Sequence, residues 1–311
     1  MRYSVVLSYA GAGFCGWQRQ PSEPSVQECL ETALGKLLGG TVPVIGAGRT
    51  DTGVNAIGYI ACFDGPEGLA ADDFRYKLNA ILPRSVVVLS VAPAAPDFHP
   101  RFDARRREYT YFLHREKDPF ADAFSYQCGY PLLDFDKMNA AAALLAGTHD
   151  FSCFEKVGAD NKTSVCTVSE AVWRPYVPTH ASVMQGLQPP ESFLPSPEKG
   201  SGRKAPGGIH KALAHDGSLP HTPVIPSEAR EPQYWYFRIS ADRFLRNMVR
   251  AIVGTLIEVG RGKRSLEDFA GLILPAPEPG TLPSAKTHTP LRSRAGESVP
   301  GHALFLSKVE Y

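Results

Sequence analysis

The side chain with the clearest chemical potential is Asp51, set in Gly46-Ala47-Gly48-Arg49-Thr50-Asp51-Thr52-Gly53-Val54-Asn55-Ala56. Glycine tolerates positive φ and the close approach of a partner, and a bland surface turn needs that freedom only once. A carboxylate held between Thr50 and Thr52 on such a loop is rigid yet exposed, as a nucleophilic carboxylate must be. The plainer reading is an Asx-turn aspartate closing a hairpin, since turns are where aspartate usually sits. Spacing alone leaves these two readings level.

A second chemical feature is Arg250, which lies in an apolar run, Leu245, Met248, Val249, Ile252, Val253, Leu256 and Ile257, at helical spacing. An unpaired charge there is expensive. Arg246, Asn247, Val253 and Gly254 occupy the positions three and four away, so the helix supplies no acid. The alternatives are a carboxylate from elsewhere in the chain or a solvated arginine. Arg243 and Arg246 share a face with Arg250 by the same spacing.

Further candidates are basic and aromatic. If 97–112 contains a strand, Arg105, Arg107, Tyr109 and Tyr111 point to one face. Such a face can hold phosphate with guanidinium groups and stack a base on a ring, or it is a solvated charged strand with its tyrosines packed. In Gly13-Phe14-Cys15-Gly16-Trp17-Gln18-Arg19-Gln20-Pro21, Trp17 reads as a pin to the core, while Gln18 and Arg19 are free to reach RNA. Asp51-Thr52-Gly53 also spells the aspartic-protease motif, an enzyme that needs two facing carboxylates sharing a proton. No second such triplet occurs, and Arg49 stands where that motif wants an apolar residue.

The elements that must position these groups are legible. Tyr3, Val5, Leu7 and Tyr9 alternate as in a half-buried strand. Ser25 and Glu28 form a capping box ahead of Val26, Leu30, Ala33, Leu34, Leu37 and Leu38, and Gly39-Gly40 ends that helix. Strand-like runs flank the Asp51 loop at 41–45 and 57–63, followed by a helix over 72–81 and a strand at 86–89. Asp134 opens a helix, 163–173 alternates as a strand, 233–239 is a strand, and a helix is expected over 243–257. Ser265 with Asp268 caps a further helix, and 303–311 is a closing strand. The order is that of an α+β protein with a sheet covered by helices on one face.

Composition bounds the reading. The 311 residues suffice for two domains, and 43% hydrophobic with 21% charged residues is a globular composition. Lys and Arg number 33 against 32 Asp and Glu, so a nucleic-acid partner requires basic residues gathered locally. Six cysteines lie far apart without zinc spacing, which fits free thiols in a reducing compartment. With no apolar leader and no membrane span, a cytoplasmic protein is expected. Eleven prolines and six glycines between Pro175 and Pro232 mark a flexible insertion, and 275–300, with Lys286, Arg292 and Arg294, is similar. For both stretches an RNA-contacting tail and a neutral insertion stay open.

Several of these motifs, in order, resemble the tRNA pseudouridine synthases that act on the anticodon stem-loop. The resemblance rests on Gly48-Arg49-Thr50-Asp51 with Gly53-Val54, Gly16-Trp17-Gln18-Arg19-Gln20, and Phe98-His99-x-Arg101-Phe102 followed by a basic run and Tyr109-x-Tyr111. Thr52 stands where that family usually has Ala, Asn55 where it has His, Ala10 where Asp is usual, and Cys166 where Arg is usual. The resemblance implies two similar α+β halves sharing a mainly antiparallel sheet, 1–97 and 98–174 with 233–311, and a cleft between them. It implies Asp51 as catalytic carboxylate, Arg250 as its cationic partner and Tyr109 stacking on the target uracil. Gln18, Arg19, Arg49, Arg105, Arg107 and Arg246 would contact the RNA. A homodimer gripping tRNA is implied, and no metal or organic cofactor. The competing reading from another class is an RNA-binding module that binds tRNA and leaves its uridines unchanged.

Overall fold

The computed structural model describes residues 1–158, 163–181, 232–276 and 291–311. The chain divides into two units, Met1–Tyr176 with Gln233–Tyr311, and Val177–Pro232. The insertion expected over 175–232 lies outside the described residues except for 175–181 and 232, and Lys286 lies outside them too. The first unit holds all the elements that follow. Among the described residues no helix is long and apolar enough to cross a membrane.

The chain opens with β1 (Arg2–Tyr9), whose Tyr3, Val5, Leu7 and Tyr9 are buried while their neighbours are half-buried. Helix α1 (Val26–Leu38) starts where the sequence predicts: the Ser25 hydroxyl accepts from the Glu28 amide, and Gly39 closes the helix in the left-handed region. After the short β2 (Ile45–Gly46) and the Asp51 loop come β3 (Asn55–Asp64), α2 (Ala71–Ile81) and β4 (Val86–Pro93). The strand expected at 41–45 is reduced to β2. Pro43 lacks an amide, and the Val44 amide and carbonyl bond to the side chains of Glu31 and Gln27 on α1 rather than to a ladder.

The next elements are β5 (Arg106–His114), β6 (Tyr126–Gln127), α3 (Phe135–Ala143), β7 (Gly147–Asp150), β8 (Val165–Pro175) and β9 (Tyr234–Ala241). They are followed by α4 (Met248–Gly260), α5 (Leu266–Ala270), β10 (Leu274–Pro275) and β11 (Leu304–Glu310). Asp134 and Ser265 cap α3 and α5 with their side chains, as their spacing predicts.

These strands form one sheet in the order β10-β7-β8-β9-β5-β11-β3-β1-β4, with β2 on β3 and β6 on β5. All pairs are antiparallel except β11 with β3 and β5 with β6. The early strands β3, β1 and β4 thus occupy one end and the later strands the other. The seam is the parallel pair of β11 and β3, where Phe305 faces Asn55 and Leu306 faces Ala56. Since β3 begins four residues after Asp51, the loop is carried at this seam.

Helix α4 departs from the expected 243–257. It starts at Met248, because Asn247 takes φ 66°, the one positive φ outside glycine among the described residues. Such a residue turns the chain and cannot continue a right-handed helix. The apolar period simply runs on across that turn, which is why spacing overlooked it. Every residue of α4 is buried except Arg250 and Glu258, so the helix is enclosed rather than striped. Each Leu, Ile or Val taken from water there stabilises the fold by about 1.5–3 kcal/mol.

One side of α4 is closed by residues 291–300, and this corrects their assignment to a loose Pro-rich loop. Val299 is buried and its amide donates to the Arg250 carbonyl. The Gly296 amide donates to the Thr255 hydroxyl, and Gly254 leaves room for the Glu297 carbonyl where any Cβ would collide. Arg292 and Arg294 turn their guanidinium groups onto the carbonyls of Gly296 and Gly271, so neither forms a basic tail.

Candidate active site

The loop bearing Asp51 is fixed from three sides. Trp17 stacks on Tyr59 with ring centroids 4.1 Å apart, over Gly46, where a Cβ would overlap both rings. The Tyr59 hydroxyl donates to the Gly48 carbonyl and accepts from the Gly48 amide. The Thr50 hydroxyl, buried, shares a 2.8 Å hydrogen bond with the Tyr9 hydroxyl. From the loop between β1 and α1, the Trp17 amide donates to the Thr50 carbonyl, and the Gly53 amide donates to the Phe14 carbonyl. Gly16 and Gly53 both take positive φ to allow this approach. Asn55 is buried and ties the loop to the seam: its side chain accepts from the Gly11 amide and donates to the His302 and Leu304 carbonyls. With its neighbours so held, Asp51 keeps a side chain 25% exposed.

Two arginines face that carboxylate. Arg250 Nη1 lies 3.8 Å from Asp51 Oδ2, and Arg246 Nε lies 4.0 Å from Oδ1. Both are charge contacts beyond hydrogen-bond length. The first comes from the opening turn of α4 and the second from the turn before it, so the Asn247 kink lets them approach separately. Arg250 is 22% exposed, and its Nε donates to the Val299 carbonyl at 2.7 Å. Arg246 is more than half exposed. Arg250 is therefore neither free in solvent nor paired within its own helix.

Tyr109 lies on β5 with its ring 9% exposed, and Phe244 meets it edge-on at 5.1 Å. Burial, then the charge of Asp51, push the Tyr109 phenol well above its ordinary pKa, against an opposing pull from Arg107. It is a neutral hydroxyl at physiological pH. Tyr111, expected on the same open face, is wholly buried, and its hydroxyl has no hydrogen-bond partner among the described residues.

The expected row of RNA-facing cations is brought together only in part. Arg49 is exposed and forms no ion pair among the described residues; Gln18 and Arg105 are exposed as well. Arg19 instead lies along α1, 3.2 Å from Glu31 and 3.5 Å from Glu28. Arg107 departs furthest from expectation. Its Nη1 donates to the Asp242 carbonyl, and its Nη2 donates to the carbonyls of Ala47 and Arg101. Three of its five N–H groups are thus turned on the protein's own backbone. Burial presses its guanidinium below the usual arginine range.

Sequence reasoning passed over Phe244, the Val299 carbonyl and the hydroxyls of Tyr9 and Tyr59. The two tyrosines showed only as apolar members of strands, a pattern that reports the ring and not the hydroxyl. Phe244 was absorbed into the predicted helix.

With this geometry in hand, the chain can be set beside known proteins. It matches the family described as tRNA pseudouridine synthase over residues 5–103 and 141–311. It is 38% identical to tRNA pseudouridine synthase A of Porphyromonas gingivalis over 312 residues, covering 100% of this chain and 97% of that one. It is also 38% identical to tRNA pseudouridine synthase A of Bacteroides fragilis, covering 100% and 96%. Against the tRNA pseudouridine synthase A of Acetivibrio thermocellus it is 31% identical, covering 99% and 98%.

Proposed function

The chain belongs to the tRNA pseudouridine synthase family, and on that premise we propose that Asp51, Arg250 and Tyr109 isomerise uridine to pseudouridine in the anticodon stem-loop of tRNA. The observation that supports this most directly is the partly exposed Asp51 carboxylate on a rigid loop, with Arg250 and Arg246 within 4.0 Å. A second Asp-Ser/Thr-Gly triplet, which a protease would need in the same chain, is absent from the sequence.

The target nucleotide is first extruded from its stack, because a stacked base hides its reactive edge. The bond between N1 and C1′ then breaks, the uracil turns, and C5 joins C1′. The C5 proton leaves and N1 gains one, so the reaction is an isomerisation without net oxidation. Asp51 acts as the nucleophile, donating an electron pair at C1′ of the ribose or at C6 of the base, and is released when the new bond is complete. Arg250, anchored by Val299, aims the carboxylate through its charge contact with Asp51. Tyr109 lies beneath the base as a neutral ring. Arg49, Arg246, Gln18 and Arg105 receive the backbone, whereas Arg107 holds the site together.

The family further supports a cytoplasmic enzyme that works as a homodimer on tRNA, and two halves, 1–97 and 98–174 with 233–311. The test is a pseudouridine map of unmodified tRNA incubated with the purified protein. Asp51→Asn keeps size and hydrogen bonding but removes the charge, so turnover is lost while tRNA affinity stays within about threefold. A binding module would leave the map of the wild type blank. Pseudouridine formed by Asp51→Asn at the wild-type rate would end the role of Asp51.

A further inference from the structure

Residues 99–103 form a tight turn that presents an aromatic ring to solvent. Phe102 is 74% exposed, so most of its apolar surface stays in water. The turn that carries it is nonetheless held firmly. The His99 ring Nδ1 accepts from the amides of Arg101 and Phe102, the Asp103 carboxylate accepts from the His99 amide, and the Phe102 and Asp103 amides donate to the His99 carbonyl. Two long-range bonds fasten the turn: the Tyr311 hydroxyl donates to the Pro100 carbonyl, and Arg107 Nη2 donates to that of Arg101. That same nitrogen holds the Ala47 carbonyl at the root of the Asp51 loop. The exposed ring therefore has a fixed place relative to the candidate active site.

Its surroundings favour a nucleobase over an apolar partner. The His99 ring lies 4.2 Å from Phe102 at an interplanar angle of 31°, and the Arg101 guanidinium carbon is 5.7 Å from the Phe102 centroid. Arg101, just before Phe102 in the chain, and Arg105, three residues after it, are exposed, and the Asp103 carboxylate is turned back onto the His99 amide. An aromatic face beside guanidinium groups matches the alternation of base and phosphate along a single strand. A protein partner would be expected to bury a broader apolar patch than one ring.

We propose that Phe102 is a stacking platform for an unpaired RNA base next to the nucleotide that enters the Asp51 site. The platform rests on the reading of the substrate as RNA, and its role is binding rather than chemistry. Stacking on a pre-positioned ring loses little conformational entropy, which is what the fastened turn provides.

The test uses the full-length protein, an unmodified tRNA transcript, and the variants Phe102→Ala, Phe102→Leu and Phe102→Trp, read by tRNA affinity and by the rate of pseudouridine formation. Phe102→Ala should weaken affinity about tenfold or more, Phe102→Leu should do no better, and Phe102→Trp should stay within about twofold of wild type. Because the ring is exposed, the thermal midpoints should coincide. The affinity ratio of wild type to Phe102→Ala should not change with salt, unlike that of an arginine variant. Affinity unchanged in Phe102→Ala, or restored by Phe102→Leu, would overturn the platform. If the wild type binds tRNA but forms no pseudouridine, the catalytic reading falls while the affinity series still decides the platform. If it does not bind tRNA, both fall.

Discussion

Arg107 joins three backbone segments through the carbonyls of Ala47, Arg101 and Asp242, and its removal tests whether it is a clip or a phosphate ligand. Consider Arg107→Ala. The Ala47 carbonyl is part-buried and loses its donor, while those of Arg101 and Asp242 lie at exposed positions and rehydrate. One unsatisfied part-buried carbonyl costs about 1–3 kcal/mol, partly offset because a cation disfavoured by burial is removed with it. In a chain of this size that lowers the thermal midpoint by about 2–6 °C.

The larger effect falls on the site. Ala47 leads into the Asp51 loop and Asp242 into the turn that bears Arg246 and precedes Arg250 on α4, so the clip fixes the spacing of carboxylate and cations. A shift of about 1 Å between such groups lowers turnover on the order of 100-fold. We expect kcat on a tRNA substrate to fall by that order, with KM within about threefold. Arg107→Lys, lacking the planar fork, should recover stability better than rate. The assay is steady-state pseudouridine formation at several salt concentrations. A variant with kcat intact, weaker tRNA affinity and a salt slope reduced by about one would show a phosphate ligand and refute the clip.

Arg250→Ala should lower kcat on the order of 100-fold, whereas Arg246→Ala, more exposed and unanchored, should cost about tenfold or less; single-turnover rates in the opposite order would show that Arg246 is the main partner of Asp51. A pH effect is expected at His114, which is buried with Nδ1 on the Ser125 hydroxyl, and whose pKa is lowered by burial against the raising effect of Asp118 and Asp122. The unfolded chain then takes up a proton at a higher pH than the folded one. The stability that His114 contributes is present above the unfolded value of about 6.5 and is lost as pH falls through the depressed folded value. Thermal midpoints of wild type and His114→Asn should therefore converge on acidification below about pH 6.5, and a constant gap would place the proton uptake elsewhere.

What the sequence revealed follows from which interactions are local. The capped starts of α1, α3 and α5 were readable because Ser25, Asp134 and Ser265 bond amides three residues ahead, and a local bond leaves a local signature. The Asp51 loop was readable for a related reason, since Gly46 makes room for the Trp17 and Tyr59 side chains and Gly53 takes a positive φ. The start of α4 was not readable, because apolar spacing is indifferent to a single residue in the left-handed region.

The limits are clearest on β5, where Arg107 and Tyr109 are two residues apart and share a face by any count. Period two says which way a side chain leaves the sheet, and nothing about what stands in front of it. In front of Tyr109 stands Phe244, and in front of Arg107 stand three carbonyls drawn from positions 47, 101 and 242. Their meeting is a property of the sheet order, in which β5 lies between β9 and β11, one strand from the seam that carries the Asp51 loop. An arginine there must satisfy whatever backbone the seam leaves unpaired, because its burial already disfavours the charge. Arg250 differs from Arg107 in this respect: it too bonds a carbonyl, but through Nε, which leaves the end of its guanidinium directed at Asp51. Of two partly buried arginines, the one with its outer nitrogens committed to backbone braces the site, and the one with Nη1 toward the carboxylate is the proposed partner of Asp51.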